Sequence, residues 1–116
     1  MFGYSAALPQ LMRGCGIASF MTTKISWNQF NRMPNDTFRW RGIDGSEVLV
    51  HMPPADTYNA ALTIPELRAS AARFKDHDRT AASLLVFGHG DGGGGPTAGM
   101  LEVARRTGDL QGVPRV

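Results

Sequence analysis

Four consecutive glycines, Gly92 to Gly95, close the segment Gly88-His89-Gly90-Asp91-Gly92-Gly93-Gly94-Gly95, and they limit the fold more than any other feature of the chain. Glycine has no Cβ and loses more backbone freedom on ordering than any other residue, so such a run sustains neither helix nor strand. Residues 88–95 must be loop. Ser83-Leu84-Leu85-Val86-Phe87, just before it, is a continuous apolar run of strand length. Pro96-Thr97, just after it, opens a helix through about Arg106, with Met100, Leu101 and Ala104 as its apolar positions. The result is a strand–loop–helix unit. A loop this costly to order, at the end of a strand, lets backbone N–H groups and Asp91 come close to a polar ligand; the bland alternative is a flexible linker.

The rest of the chain reads in the same alternating manner. Ser5 N-caps a short helix over Ala6 to Arg13 with Pro9 in its first turn, and Gly14 and Gly16 supply the exit. Ile17 to Met21 reads as a short buried strand. Thr37-Phe38-Arg39-Trp40-Arg41 alternates apolar and polar, Asp44-Gly45 turns, and Glu47 to Met52 returns, which is a β-hairpin. Thr63-Ile64-Pro65-Glu66 has the form of a capping box, opening a helix to about Lys75 with Leu67, Ala71 and Phe74 on one face. Helix, strand, hairpin, helix, strand, helix is an α/β order with part of the sheet parallel. No internal repeat is present. Both ends break off beside helices, so the reading is a piece of a larger domain, with Met1 an internal methionine or a false start.

Composition removes several classes of function. The chain has 116 residues and a net charge of +2, and no run of Lys and Arg interleaved with aromatics marks a nucleic-acid surface. No stretch approaches the roughly 18 apolar residues of a membrane span, and residues 1–10 do not form a signal peptide. Cys15, the single cysteine, reads as a small buried residue and favours a reducing compartment, so the expected location is the cytoplasm.

Two motifs compete for the glycine loop. Gly88 to Gly93 satisfies G-x-G-x-x-G after an apolar run and before a helix, with Asp109 about twenty positions on, which raises dinucleotide binding. Against it, Thr107-Gly108-Asp109-Leu110 is turn-like, and the helix opens beyond the third glycine. His89 and Asp91 form an H-x-D pair, but two ligands do not make a closed metal shell, and His51 and His77 are isolated. No metal is expected on this chain.

Three charged residues occupy equivalent places: Lys24 after the first strand, Asp56 after the hairpin, and Asp91 after Ser83 to Phe87. Ligands of α/β proteins sit at the carboxyl ends of strands. With Trp27, Tyr58 and Phe2 nearby in sequence, these residues suit a carbohydrate pocket, where aromatic faces stack on sugar C–H and charged groups bind hydroxyls.

Phe2-Gly3-Tyr4-Ser5-Ala6-Ala7-Leu8-Pro9-Gln10, Lys24-Ile25-Ser26-Trp27-Asn28, Gly42-Ile43-Asp44-Gly45-Ser46, Pro53-Pro54-Ala55-Asp56-Thr57-Tyr58, Gly90 to Thr97 and the closing Gly112 to Val116 together resemble the glycoside hydrolase family 38 α-mannosidases, their bacterial and cytosolic branch above all. The resemblance runs through essentially the whole chain in order. It implies an α/β barrel-like catalytic domain with mixed sheet and flanking helices, of which residues 1–116 are a part. It also implies hydrolysis of terminal α-mannosides with retention, assisted by zinc in the full-length enzyme. The family's nucleophilic Asp lies two residues before the position of Phe2, and its metal ligands and acid/base lie further away. The chain alone is therefore expected to be inactive, to bind no cofactor, and to pair with the remainder of the catalytic domain. What carries over is substrate binding: Phe2 against the sugar, Lys24 as a basic residue beside the nucleophile, Asp56 as an acidic pocket residue, and Asp91 in the glycine loop. His89 stands where the family has an aromatic, Thr23 where it has glutamine, and Asn35-Asp36 where it has two histidines.

Overall fold

The structure is a computed structural model, and it describes residues 3–115. The expected contact of Phe2 lies outside the described residues. The chain divides into two compact units, Met1–Met52 and Pro53–Val116.

The first unit is a helix on a three-stranded mixed sheet. Helix α1 spans Leu8–Gly14, and strands β1, β2 and β3 span Ser19–Met21, Thr37–Arg41 and Glu47–His51. The strand order is β1-β3-β2, with β3 parallel to β1 and antiparallel to β2. The hairpin follows from its period: Val48 and Val50 point inward and are 1% exposed, while Leu49 between them faces out. Phe38 lies opposite Val50 and Trp40 opposite Val48 in the ladder, so the apolar halves of both strands share one face. Met12 from α1 packs with Val48 and Val50, flanked by Leu8, Phe20, Phe38 and Trp40. Tyr4 closes this core edge-on to Phe20 at 5.3 Å.

The hairpin turn is held by Asp44, whose carboxylate accepts from the Ser46 backbone N–H at 2.9 Å and the Ser46 hydroxyl at 2.8 Å. These two donors hold its carboxyl below the usual aspartate range.

Three local expectations need correction. Helix α1 starts later than expected, with Ala7 as its N-cap and no side-chain cap. Ser5 instead accepts from the Ala7 N–H and so builds the preceding turn. The first strand is only three residues long, and Ser19 and Met21 are exposed with Phe20 half-buried, because successive side chains point to opposite faces and that of Phe20 packs against the core. Cys15 is exposed rather than buried. It caps α1 at the exit turn, where its N–H donates back to the carbonyls of Leu11 and Met12.

The second unit contains two helices, α2 at Ile64–Arg73 and α3 at Ala98–Thr107. The capping box of α2 forms in full: the Thr63 hydroxyl accepts from the Glu66 N–H, and the Glu66 carboxylate accepts from the Thr63 N–H at 2.9 Å. Leu67 and Phe74 are buried along this helix and Ala71 half-buried. The Phe74 ring meets the His77 ring edge-on at 5.1 Å, and His77 Nε2 donates to the Ala71 carbonyl at the helix end.

The apolar run Ser83 to Phe87 does not become a strand. A single parallel bridge joins Phe87 to Ala60, and Ser83 and Leu84 are exposed. A continuous apolar run needs a strand paired along its length to become a buried strand, and among the described residues the ladder here is limited to the isolated Ala60–Phe87 bridge. The architecture is thus mixed α/β with a three-stranded sheet, one strand fewer than the sequence order suggests. Among the described residues, no helix is long and apolar enough to cross a membrane.

Candidate functional site

The glycine loop is the part of the second unit where polar groups gather. Its base is the Ala60–Phe87 bridge: the Ala60 N–H donates to the Val86 carbonyl at 3.4 Å, and the Gly88 N–H to the Ala60 carbonyl at 3.0 Å. Its neck closes where the His89 N–H donates to the Gly95 carbonyl at 3.3 Å.

Between base and tip sits Asp91, and two residues that adjoin each other in sequence grip it. The Tyr58 hydroxyl donates to Asp91 Oδ1 at 2.9 Å, and the Asn59 amide donates to Asp91 Oδ2 at 2.8 Å. The same Asn59 accepts, through Oδ1, from the Gly90 N–H at 2.6 Å and the Asp91 N–H at 3.3 Å. This approach requires glycine at position 90, because a Cβ there would lie 2.8 Å from Asn59 Oδ1 and 3.0 Å from the Tyr58 ring.

Asp91 remains exposed despite this grip. An ionised carboxylate offers about four acceptor sites, so one donor on each oxygen leaves each oxygen capacity to accept from solvent or a ligand. The arrangement is a fixed, outward-facing acceptor pair.

The other expected residues are placed as follows. Asp56 lies in the same unit, half-buried, with a positive φ of 56° and its N–H donating to the Pro53 carbonyl. This turn follows Pro53 and Pro54, both buried, and leads directly into Thr57 and Tyr58. Lys24 belongs to the first unit, where its ammonium lies over the Trp27 ring at 4.0 Å from the centroid. That cation–π contact presents a charged and an aromatic group side by side. The structure therefore brings together Asp91 and Tyr58, which the sequence pattern singles out, and adds Asn59, which it does not. A cavity of about 400 Å³ in the second unit, bounded by Leu67, Phe74, Leu84 and Leu85, includes none of Asp56, Tyr58 or Asp91.

The dinucleotide pattern does not survive. Ser83 to Phe87 is not a strand, α3 begins only after its N-cap Thr97, and Asp109 lies in the turn after that helix. A pyrophosphate site needs its third glycine at the helix–strand contact and its acidic residue at a second strand end, and neither condition is met.

Among the described residues, no group of three or more His, Cys, Asp or Glu side chains is arranged to hold a metal ion. The described residues do not by themselves compose a zinc shell.

Comparison with known proteins shows which family the chain belongs to. The α-mannosidase G of Dictyostelium discoideum is 51% identical over 115 residues, which is 99% of this chain and 11% of that protein. Human α-mannosidase 2C1 is 50% identical over 115 residues, again 99% of this chain and 11% of the relative. An α-mannosidase of Saccharomyces cerevisiae is 48% identical over 105 residues, 90% of this chain and 10% of its own length. The chain thus spans about a tenth of the length of these relatives. Residues 1–116 match the N-terminal domain of the glycosyl hydrolases family 38, and the chain belongs to that family.

Proposed function

We propose that the complete protein containing this chain hydrolyses terminal α-mannosides with retention of configuration, and that these residues furnish part of the sugar-binding wall. The observation that carries this reading is the exposed Asp91 carboxylate, held by Tyr58 and Asn59 with acceptor capacity left on both oxygens. Sugar hydroxyls are donors, and a pre-oriented carboxylate binds them without first reorganising. In the same proposal Asp56 is a second acidic contact of this unit, and Lys24 and Trp27 of the first unit are proposed separately as a cation and a stacking face.

Retention requires two carboxyl groups about 5–5.5 Å apart, one as nucleophile and one as acid then base. We assign neither role to the described residues. A nucleophile next to the position of Phe2, a barrel-like enclosing domain and zinc belong to the proposal for the complete enzyme. Zinc would help bind and orient the mannose when present. This chain's own contribution is to bind and orient the ring.

The test is Asp91→Asn in the complete polypeptide, assayed on p-nitrophenyl α-mannoside. A hydrogen bond to a charged group is worth about 1.5–3 kcal/mol, so kcat/KM is expected to fall by about tenfold to a hundredfold, mostly through KM. An unchanged KM would remove Asp91 from the pocket.

A further inference from the structure

Asn59 holds the glycine loop at three points with one side chain. Its Oδ1 accepts from the backbone of Gly90 and Asp91, and its Nδ2 donates to the Asp91 carboxylate. The residue next to it, Ala60, is 1% exposed and makes the only bridge at the loop's base among the described residues. The amide therefore hangs from a pinned backbone, while the loop it grips contains glycines with no side chains to fix it. Without Asn59, the Tyr58 hydroxyl would be the one side-chain donor left on the carboxylate among the described residues.

We propose that Asn59 is a positioning residue for Asp91, which sets the plane of that carboxylate so that both oxygens accept hydroxyls from adjacent carbons of one sugar ring. The inference rests on the reading that Asp91 contacts the sugar. Each oxygen already takes one donor from the protein, Tyr58 on Oδ1 and Asn59 on Oδ2, so rotation about the carboxyl bond would break both bonds at once. Fixing that plane fixes the remaining acceptor site on each oxygen with it. Such a pair recognises a vicinal diol rather than a single hydroxyl, because two neighbouring O–H groups each find an acceptor.

The decisive variant is Asn59→Asp in the complete polypeptide. It keeps an oxygen to accept from the Gly90 and Asp91 N–H groups, but it replaces the amide donor with a second carboxylate facing Asp91. KM for p-nitrophenyl α-mannoside is expected to rise about tenfold or more with kcat changed by less than about threefold, since binding shared by ground and transition states is what is lost. The swapped double variant Asn59→Asp with Asp91→Asn remakes the amide–carboxylate bond with its ends exchanged. Its melting temperature should return toward that of the parent while KM stays raised, because position 91 then presents an amide to the sugar.

A parental KM in Asn59→Asp overturns the proposal, and so does a swap that restores KM, which would make the pair a plain fold contact. Should Asn59→Asp fail to fold, Tyr58→Phe decides the matter. Loss of that one donor is expected to raise KM about threefold, and no rise overturns the proposal. If Asp91→Asn alone leaves KM unchanged, the sugar-contact reading fails first and the positioning role falls with it, a result distinct from an Asn59 failure on a sound Asp91.

Discussion

Glu66 shows how one side chain can settle a local structure and leave a signature in solution. Burial pushes its carboxyl up, but hydrogen bonds from the Thr63 N–H and hydroxyl and from the Ala61 N–H outweigh that and hold it below the ordinary glutamate range. A carboxyl lowered by folding adds stability that is fully present above its unfolded value, about 4.3, and is lost as pH falls through the folded value. Glu66→Ala is expected to cost about 1 kcal/mol at neutral pH, read from the urea midpoint, and the difference from the parent should shrink as the buffer is taken below about pH 4. Leu62 poses the opposite case. It sits at a φ of 61°, where a leucine costs roughly 1–2 kcal/mol, yet it is fully buried, and burying such a side chain returns about 1.5–3 kcal/mol. Burial wins there. The capping box was legible in the sequence because donor and acceptor lie three residues apart. Asn59 was not, because its partners lie 31 and 32 residues away and nothing local marks it.

At the level of elements, patterns of period two proved stronger than apolar runs. The hairpin from Thr37 to His51 forms as its alternation requires, with Val48 and Val50 inside and Leu49 46% exposed. Val50→Ala is therefore expected to lower stability by about 1–3 kcal/mol, whereas Leu49→Ala should stay within about 0.5 kcal/mol, both followed by denaturant unfolding. Equal effects of the two would mean that the register is wrong. Ser83 to Phe87 reads as a strand on apolar content alone, a signal that does not separate a central strand from an irregular apolar segment. The strand expected over Ile17 to Met21 is likewise shorter, since its pairing with β3 covers Ser19 to Met21. Both helices of the second unit came through nearly intact, as each carries its own cap at Thr63 or Thr97.

For the whole molecule, the exposed apolar residues are informative. Phe30 is 87% exposed, Ile43 75% and Leu11 60%, all in the first unit. Single exposed apolar side chains are ordinary on a folded surface, and a contiguous apolar patch is what marks a contact with something else. The chain spans about a tenth of the length of its relatives. The isolated 116-residue polypeptide, supplied with zinc and p-nitrophenyl α-mannoside, is expected to show no turnover and to bind the dye ANS. Measurable hydrolysis would contradict the proposed division of labour. The family was legible from residue order along the chain, but the proposed barrel-like closure is not visible in the three-stranded sheet.

The double anchorage at Asn59 also has a consequence for how the loop tolerates change in length. The carboxylate is addressed from the near side, through Gly90, and the neck is shut by the His89–Gly95 bond, so the tip at Gly92 and Gly93 has no steric neighbours and carries no information about where Asp91 points. One extra glycine spliced between Gly92 and Gly93 in the complete polypeptide should leave KM within about twofold, since lengthening a flexible loop adds only a few tenths of a kcal/mol. The same glycine spliced between Gly88 and His89 shifts every later residue against Asn59, and should raise KM as much as losing the carboxylate.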